Sequence, residues 1–379
     1  MSRDSGILLN QLTVHIRITP PYKILVEFLP QLKSRLVELQ QALAVPKAVS
    51  EPETETAVSG NPDTSQPEHD ETRQYPNSDS ARAAQLELLI SFVETQLADW
   101  VQLRADISNG SLELISFDEL WHLFKPGDLV ISRNDDDDDS GRERLFKVYF
   151  VTGGQIRRKE STTQALLGGR SLTEQGQWSS LDVFAYTMEF DGTQIGPKDH
   201  ELSIEHYTGK KSITDLPVYP LRYHPKKDLA SYFEDRGRRV LSSVGHRFYE
   251  GLGTPFVGRD KKRMLLGRPE DISGEVYIDF HEFSQATYRT YEFSEISQPS
   301  LDANADIESI QGANGTDIKF RHIGHEVDVK LAQMFYSHNR KGLEPFVPSE
   351  EPESMTPEIY QLFGHSVPAY VFRHRRWCK

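Results

Sequence analysis

The sequence predicts an α+β protein: a mostly antiparallel, curved or barrel-like sheet with packed helices, preceded by amphipathic helices and a disordered linker. Three observations predict it. Within the first 110 positions, two separated stretches repeat leucine and isoleucine at helical spacing. From Ser111 onward, short apolar runs alternate with Gly, Pro and Asp turn signals, as in strands joined by loops and hairpins. Between the two helices, residues 46–80 are rich in Pro, Glu, Thr, Ser and Asp and too poor in apolar groups to offset their ordering entropy. The chain has 379 residues, 37% of them hydrophobic, which suits one main domain with appendages.

Residues 1–45 hold an N-terminal strand and an amphipathic helix. In "YKILVEFLPQLKSRLVELQQALA", Leu25, Leu29, Leu32, Leu36, Leu39 and Leu43 alternate spacings of four and three, the register of a coiled-coil seam, and Pro30 weakens the first turn. A second amphipathic helix fills 81–110, with Leu86, Ile90, Val93, Leu97, Trp100 and Ile107 near a heptad stripe. Packing of these helices on their own domain is the simpler reading. Formation of a homo-oligomer through them is the other.

The main domain spans 111–294. "SFDELWHLF" sets Ser116 and Glu119 in capping-box spacing, so a short helix is expected, ended by Pro126 and Gly127. Asp128 leads into the strand "LVIS", and "RLFKVYFV" answers it across the run Asp135 to Asp139. That run lacks the turn glycine and closing Glu of a calcium loop, so it reads as a solvated hairpin tip, with docking of a basic partner as the alternative. "VFAYTMEF", with Phe184, Tyr186, Met188 and Phe190 alternating, is a third strand and "ELSIEHY" a fourth. "KKDLASYFEDRGRRVLSSV" is helical, offering Leu229, Tyr232, Phe233, Val240 and Leu241 to one face, and "GEVYIDFHEF" returns to the sheet. Residues 295–316 read as a mobile acidic insertion. Residues 317–379 supply the last strands and a basic tail, "PAYVFRHRRWCK".

Composition narrows the function classes. The net charge of −14 disfavours general nucleic-acid binding, whose affinity comes largely from neutralising phosphates. Two local basic clusters, "GRDKKRMLLGR" and "RHRRW", keep such a module as an alternative, with Trp377 beside Arg375 and Arg376 able to stack on a base or a partner surface. The single cysteine, Cys378, allows neither an internal disulfide nor a cysteine metal site. No secretory core or membrane-length apolar run is present, so a soluble intracellular protein is expected.

Catalytic signatures fail on a required residue. "LSSVGH" has Leu241 where a nucleophile elbow needs glycine. The sequences from His281 and His325 lack a second histidine four residues on. "GLGTPFVG", with Gly251, Gly253 and Gly258, has the wrong spacing for a dinucleotide loop. "GKKS" at Gly209 has no glycine five residues earlier and puts Lys211 where a P-loop needs a hydroxyl. No cofactor or metal is expected. An enzyme reading survives only as a convergent site of Asp191, His224, His246 and Asp279, which would have to meet in one pocket.

Other motifs read as scaffold. Pro126 with Gly127, Asp191 with Gly192, and Gly196 with Pro197 mark turns. Tyr219, Pro220, Leu221 and Tyr223 suit a packed sheet edge. Arg222 and Asp279 are charged residues inside apolar phrases, and a mutual buried pair is one option.

In order, "FDELWHLFKPGDLV", "FDGTQIGP", "ITDLPVYPLRYH", "RGRRVLSSVGHRFYEGLG", "GEVYIDF" and "VPAYVFRHRRW" resemble the domain of unknown function that precedes the AAA+ ATPase module in filamentous-fungal proteins. The resemblance covers about Ser111 to Lys379. It implies an upstream, non-catalytic region of an ATPase. No position here matches the ATPase's own functional residues, and "YQLFGHS" departs from the expected approach to the final phrase. The resulting expectation is a recognition or regulatory domain that binds a protein client, an adaptor or the motor. Trp121, Asp191, Arg222, Tyr249 and Trp377 are the residues to test.

Overall fold

Pro30 decides where the first helix breaks. Lacking an amide hydrogen, it is tolerated only in a helix's opening turn. Accordingly, α1 (Lys23–Glu27) stops before it and α2 (Leu29–Ala44) starts around it. The structure is a computed structural model and describes residues 15–18, 22–44, 79–132, 143–154, 156–157, 177–260, 263–286, 293–297, 307–311, 317–323 and 326–379. The acidic run Asp135–Asp139 and all but the end of the expected linker lie outside the described residues.

Residues Ile24–Ala105 form one compact unit. In it, α2 packs against α3 (Asp79–Gln96), with Leu29 and Leu39 of the first and Ala83, Ile90 and Val93 of the second buried. Leu43 is exposed, so the leucine seam is not buried along its whole length. Lys33 and Glu94 sit 2.5 Å apart but are about half exposed, a geometry that contributes little stability. The helix α4 (Ala98–Asn109) follows a bend at Leu97.

The other unit joins residues up to Lys23 with those from Asp106 onward. Besides three short two-stranded ribbons, its strands among the described residues are β1 (His15–Ile18), β2 (Leu129–Ser132), β3 (Arg144–Gly153), β4 (Leu181–Phe190), β5 (Ile195–Ile204), β6 (Val218–Pro220), β7 (Gly245–Gly253), β8 (Glu270–Ile278), β9 (Ile307–Gln311), β10 (Asp317–Ile323), β11 (Ala369–Val371) and β12 (Arg376–Cys378). Its longer helices are α5 (Leu229–Ser242), α6 (Phe280–Ala286), α7 (Glu326–Asn339) and α8 (Pro357–Gln361). The first sheet runs β6-β2-β3-β4-β5, every pair antiparallel. The second runs β7-β8-β11-β12, also antiparallel. A third runs β1-β10-β9, with β1 parallel to β10. Among the described residues, none of the sheets closes into a barrel. The stretch 295–316 thus contains the paired strand β9 and the buried Ile296.

The sequence reading of β4 chose Phe184, Tyr186, Met188 and Phe190 as its apolar face. The strand instead buries Leu181, Val183 and Ala185 on the opposite face and then Tyr186, Thr187 and Met188 together. Its place inside the sheet, between β3 and β5, explains this, because an interior strand is covered on both faces along part of its length. The expected helix at "SFDELWHLF" forms as a 3₁₀ turn, Phe117–His122, with the Glu119 carboxylate accepting from the Ser116 amide at 2.9 Å.

A buried ion pair ties the start of this unit to α7. Lys23 Nζ lies 2.5 Å from Asp328 Oδ1, with side chains only 4% and 3% exposed, and 5.2 Å from the ring centre of Trp121. Opposite charge and an aromatic face together offset the desolvation of that ammonium. Elsewhere in this unit, α5 packs on α8 with almost no clearance at Gly237, where an added Cβ would stand 1.9 Å from the Tyr360 carbonyl oxygen. Alanine normally stabilises a helix interior by about 0.5–1 kcal/mol over glycine. Gly237→Ala should instead destabilise by at least about 2 kcal/mol in urea unfolding, because backbone has to separate from backbone. A stabilising result would show that the two helices are not in contact there.

Candidate functional site

Most residues singled out from sequence have structural work. Trp121 is buried and donates its indole N–H to the Gly153 carbonyl. Pro126 and Gly127 form the expected turn, Gly127 with φ 96°, its amide bonded to the Val148 carbonyl at 2.8 Å. Asp128 accepts from the Lys125 amide at 3.1 Å and sits 3.4 Å from Arg222 Nη1, while Arg222 Nη2 donates to the Leu123 carbonyl at 2.8 Å. Arg222 and Asp279 are therefore not a pair. Asp279 accepts from the Glu282 amide at 2.9 Å and caps α6, where its acceptor is needed.

The four residues of the enzyme reading each have local partners. Asp191 Oδ1 accepts from the amides of Thr193 and Gln194, both at 2.7 Å, and holds the β4–β5 turn, where Gly192 takes φ 103°. His224 Nδ1 accepts from the Lys226 amide at 3.1 Å, and its Nε2 lies 3.4 Å from Glu143. His246 lies 3.7 Å from Glu275. Among the described residues, no three His, Cys, Asp or Glu side chains are grouped as a metal ion requires. The basic cluster around Lys261 has its central side chains outside the described residues.

The second sheet presents a different arrangement, set by register. Directly opposed residues of neighbouring strands share a face. On one face Ile272, Val276, Ile278, Val371 and Cys378 are buried. On the other, His246 opposes Tyr277, Tyr277 opposes Tyr370, and Tyr370 opposes Trp377, so one aromatic row crosses all four strands. A second row runs from Phe248 to Glu275, whose carbonyl accepts from the Phe372 amide at 3.4 Å.

The ring contacts are edge-on or tilted, as quadrupoles favour. Trp377 meets Tyr370 at 5.5 Å and Phe283 of α6 at 5.4 Å. Phe372 meets Tyr370 at 5.7 Å and His246 at 6.0 Å. The buried Phe283 covers the Trp377 end. The other end stands in solvent, with Phe248 72%, Phe372 46% and Tyr277 41% exposed.

The inner face holds a cavity of about 360 Å³, lined among others by Tyr249, Leu252, Ile272, Val276, Val371 and Cys378. Tyr249 does not lie free, since its hydroxyl donates to the Leu252 carbonyl at 2.8 Å. Burial, with the nearby Glu270, pushes the Cys378 thiol above its usual range, so it remains protonated and a weak nucleophile. The rim is stapled where the Thr254 and Lys379 backbones exchange hydrogen bonds of 2.9 and 2.8 Å. Glu270 adds bonds to His374 and Arg376.

Trp377 was legible as a candidate, but Phe248, Glu275, Tyr277, Tyr370 and Phe372 were not. The available signal was the alternation of aromatic and aliphatic residues in "GEVYI" and "AYVF" and the alternate placing of His246, Phe248 and Glu250 in "HRFYEG". Only the register shows that three separate alternations fall in phase.

Burial raises the Asp128 carboxyl above its ordinary value, against the opposing pull of Arg222 and Lys125. A raised folded-state pKa means that the folded form holds the proton more tightly than the unfolded one. The contribution is therefore fully present below the unfolded value and lost as pH rises through the folded one. Asp128→Asn keeps an acceptor for the Lys125 amide and removes this titration. Thermal melts across the acid range should show wild type losing stability relative to the variant as pH rises. A parallel pair of profiles would contradict the assignment.

A family model described as a domain of unknown function, DUF7025, matches residues 106–225, which takes in the first sheet from β2 to β6. Comparisons with curated proteins and with solved structures found no match.

Proposed function

We propose that this chain is a non-catalytic recognition domain that binds a protein partner through the aromatic outer face of its second sheet. The observation that carries the proposal is the exposed end of that face, where Phe248, Tyr277 and Phe372 lie together on adjacent strands. Clustered rings exposed at a protein surface favour a protein contact, and aromatic residues dominate the energetics of such contacts. The resemblance to the region ahead of fungal AAA+ motors makes the motor, its adaptor or its client the natural partner.

Other classes fit the residues less well. Gly209–Ser212 turns into a short strand paired with Leu114–Ser116, so the sequence closest to a phosphate loop is a hairpin element. The acidic Glu250 and Glu275 share the aromatic face and repel polyanions. No helix among the described residues is long and apolar enough to cross a membrane.

Photo-cross-linking tests the reading. Benzoylphenylalanine placed at Phe248 should give discrete protein adducts in a native extract. The same group at Leu114, an exposed apolar position on a separate hairpin, should not. Equal adducts at both positions, or none at Phe248, would remove the second sheet as the binding surface.

A further inference from the structure

Glu275 stands among exposed rings. Phe248 is its direct cross-strand neighbour on β7, Phe372 follows on the other side, Tyr277 is two residues along its own strand, and His246 Nε2 lies 3.7 Å from its carboxylate. Its side chain is about two-thirds exposed. This mixture selects a ligand. A neutral apolar group seated on the rings would strip water from the carboxylate without replacing its hydrogen bonds. An anion would be repelled. A cation on an apolar stem satisfies both, since aromatic faces attract positive charge and the carboxylate supplies a full counter-charge. Arginine fits best among protein side chains, because its planar guanidinium stacks on rings and forks onto a carboxylate.

The sheet also constrains how such a group arrives. Among the described strands, β7 is the outermost of its sheet. An extended segment added beside it would lie about 4.8 Å away and send every second side chain over the same face. One long side chain could then cross Phe248 to reach Glu275. Glu250, exposed and two residues beyond Phe248 on the same face, would meet the next in phase, about 7 Å along. The chain's net charge of −14 attracts such a segment from a distance.

We propose that the outer face of the second sheet receives an extended protein segment with arginines two residues apart, one guanidinium lodged among Phe248, Phe372 and Glu275 and the next facing Glu250. This rests on the recognition reading above and names the chemistry of the partner.

The test uses the full chain and fluorescence anisotropy of a labelled nine-residue peptide with arginine at alternate positions and leucine between. A matched peptide carries citrulline, which keeps the shape and removes the charge. The citrulline peptide should bind at least about tenfold more weakly, and Glu275→Gln and Phe248→Ser should each weaken the arginine peptide by about tenfold. Glu344→Gln, which removes an equal exposed charge elsewhere, should change nothing. Should Phe248→Ser fail to fold by circular dichroism, the exposed Glu275→Gln decides alone.

Equal affinity for both peptides, no binding of either, or an equal loss in Glu344→Gln would overturn the proposal. So would displacement by a single-stranded oligonucleotide, or a dimer in sedimentation that Phe248→Ser dissolves. If Phe248 still cross-links to protein while the two peptides bind alike, the arginine assignment falls and protein recognition stands. If cross-linking also disappears, both fall.

Discussion

Cross-strand register in the second sheet is the constraint on which the functional account depends. On β8 and β11 aliphatic residues alternate with aromatic or charged ones, and hydrogen bonding brings these alternations into phase with Phe248 and Glu250 of β7 and Trp377 of β12. A slip of one residue in any pair would turn that strand's outer-face residues inward and its inner-face residues outward. The aliphatic side is committed by burial of Ile272, Val276, Ile278 and Val371, each such side chain stabilising by about 1.5–3 kcal/mol when removed from water. The aromatic side follows as a geometric consequence. The short α6 covers one end of it through Phe283 and leaves the rest exposed.

The two larger sheets divide the labour. In the segments that flank the first, polar contacts hold the scaffold: Trp121 donates to Gly153, Arg222 braces the Lys125–Asp128 turn, and Lys23 is matched by Asp328. Arg236, pulled down to about 10 by burial and by Arg144, donates to the Phe363 carbonyl at 2.7 Å and lies over the Phe233 ring at 4.5 Å. Such buried polar contacts contribute less to net stability than to uniqueness of packing, because removal of one partner leaves the other stranded. In the second sheet the buried face is mainly aliphatic, while the clustered rings lie on the outer face.

How much of this was legible in the sequence depended on the range of the interaction. Local signals were read correctly where local physics decides the outcome: the capping pair Ser116 and Glu119, the turns at Gly127 and Gly192, and the helix around Phe233 and Val240; Pro30 was read as weakening a first turn, where the structure divides the segment into two helices. Non-local consequences were not legible. The reading of β4 was half right: Tyr186 and Met188 are buried as chosen, but Leu181, Val183 and Ala185 on the opposite face are buried too, because the strand lies between β3 and β5. Arg222 was matched with Asp279 for charge alone, although helix capping claims Asp279 and the turn claims Arg222. The aromatic face needed the pairing of β7, β8, β11 and β12, which brings Phe248 beside Glu275 and Glu275 beside Phe372 across almost a hundred residues.

The most direct measurement is hydroxyl-radical footprinting of the free protein, read residue by residue by mass spectrometry. The account predicts rapid oxidation of Phe248, Tyr277 and Phe372 and protection of the buried Phe124, Phe146 and Phe283. Protection of Phe248 and Phe372 equal to that of the buried rings would mean that the face is already covered within the chain, and the second sheet would lose its claim as a binding surface.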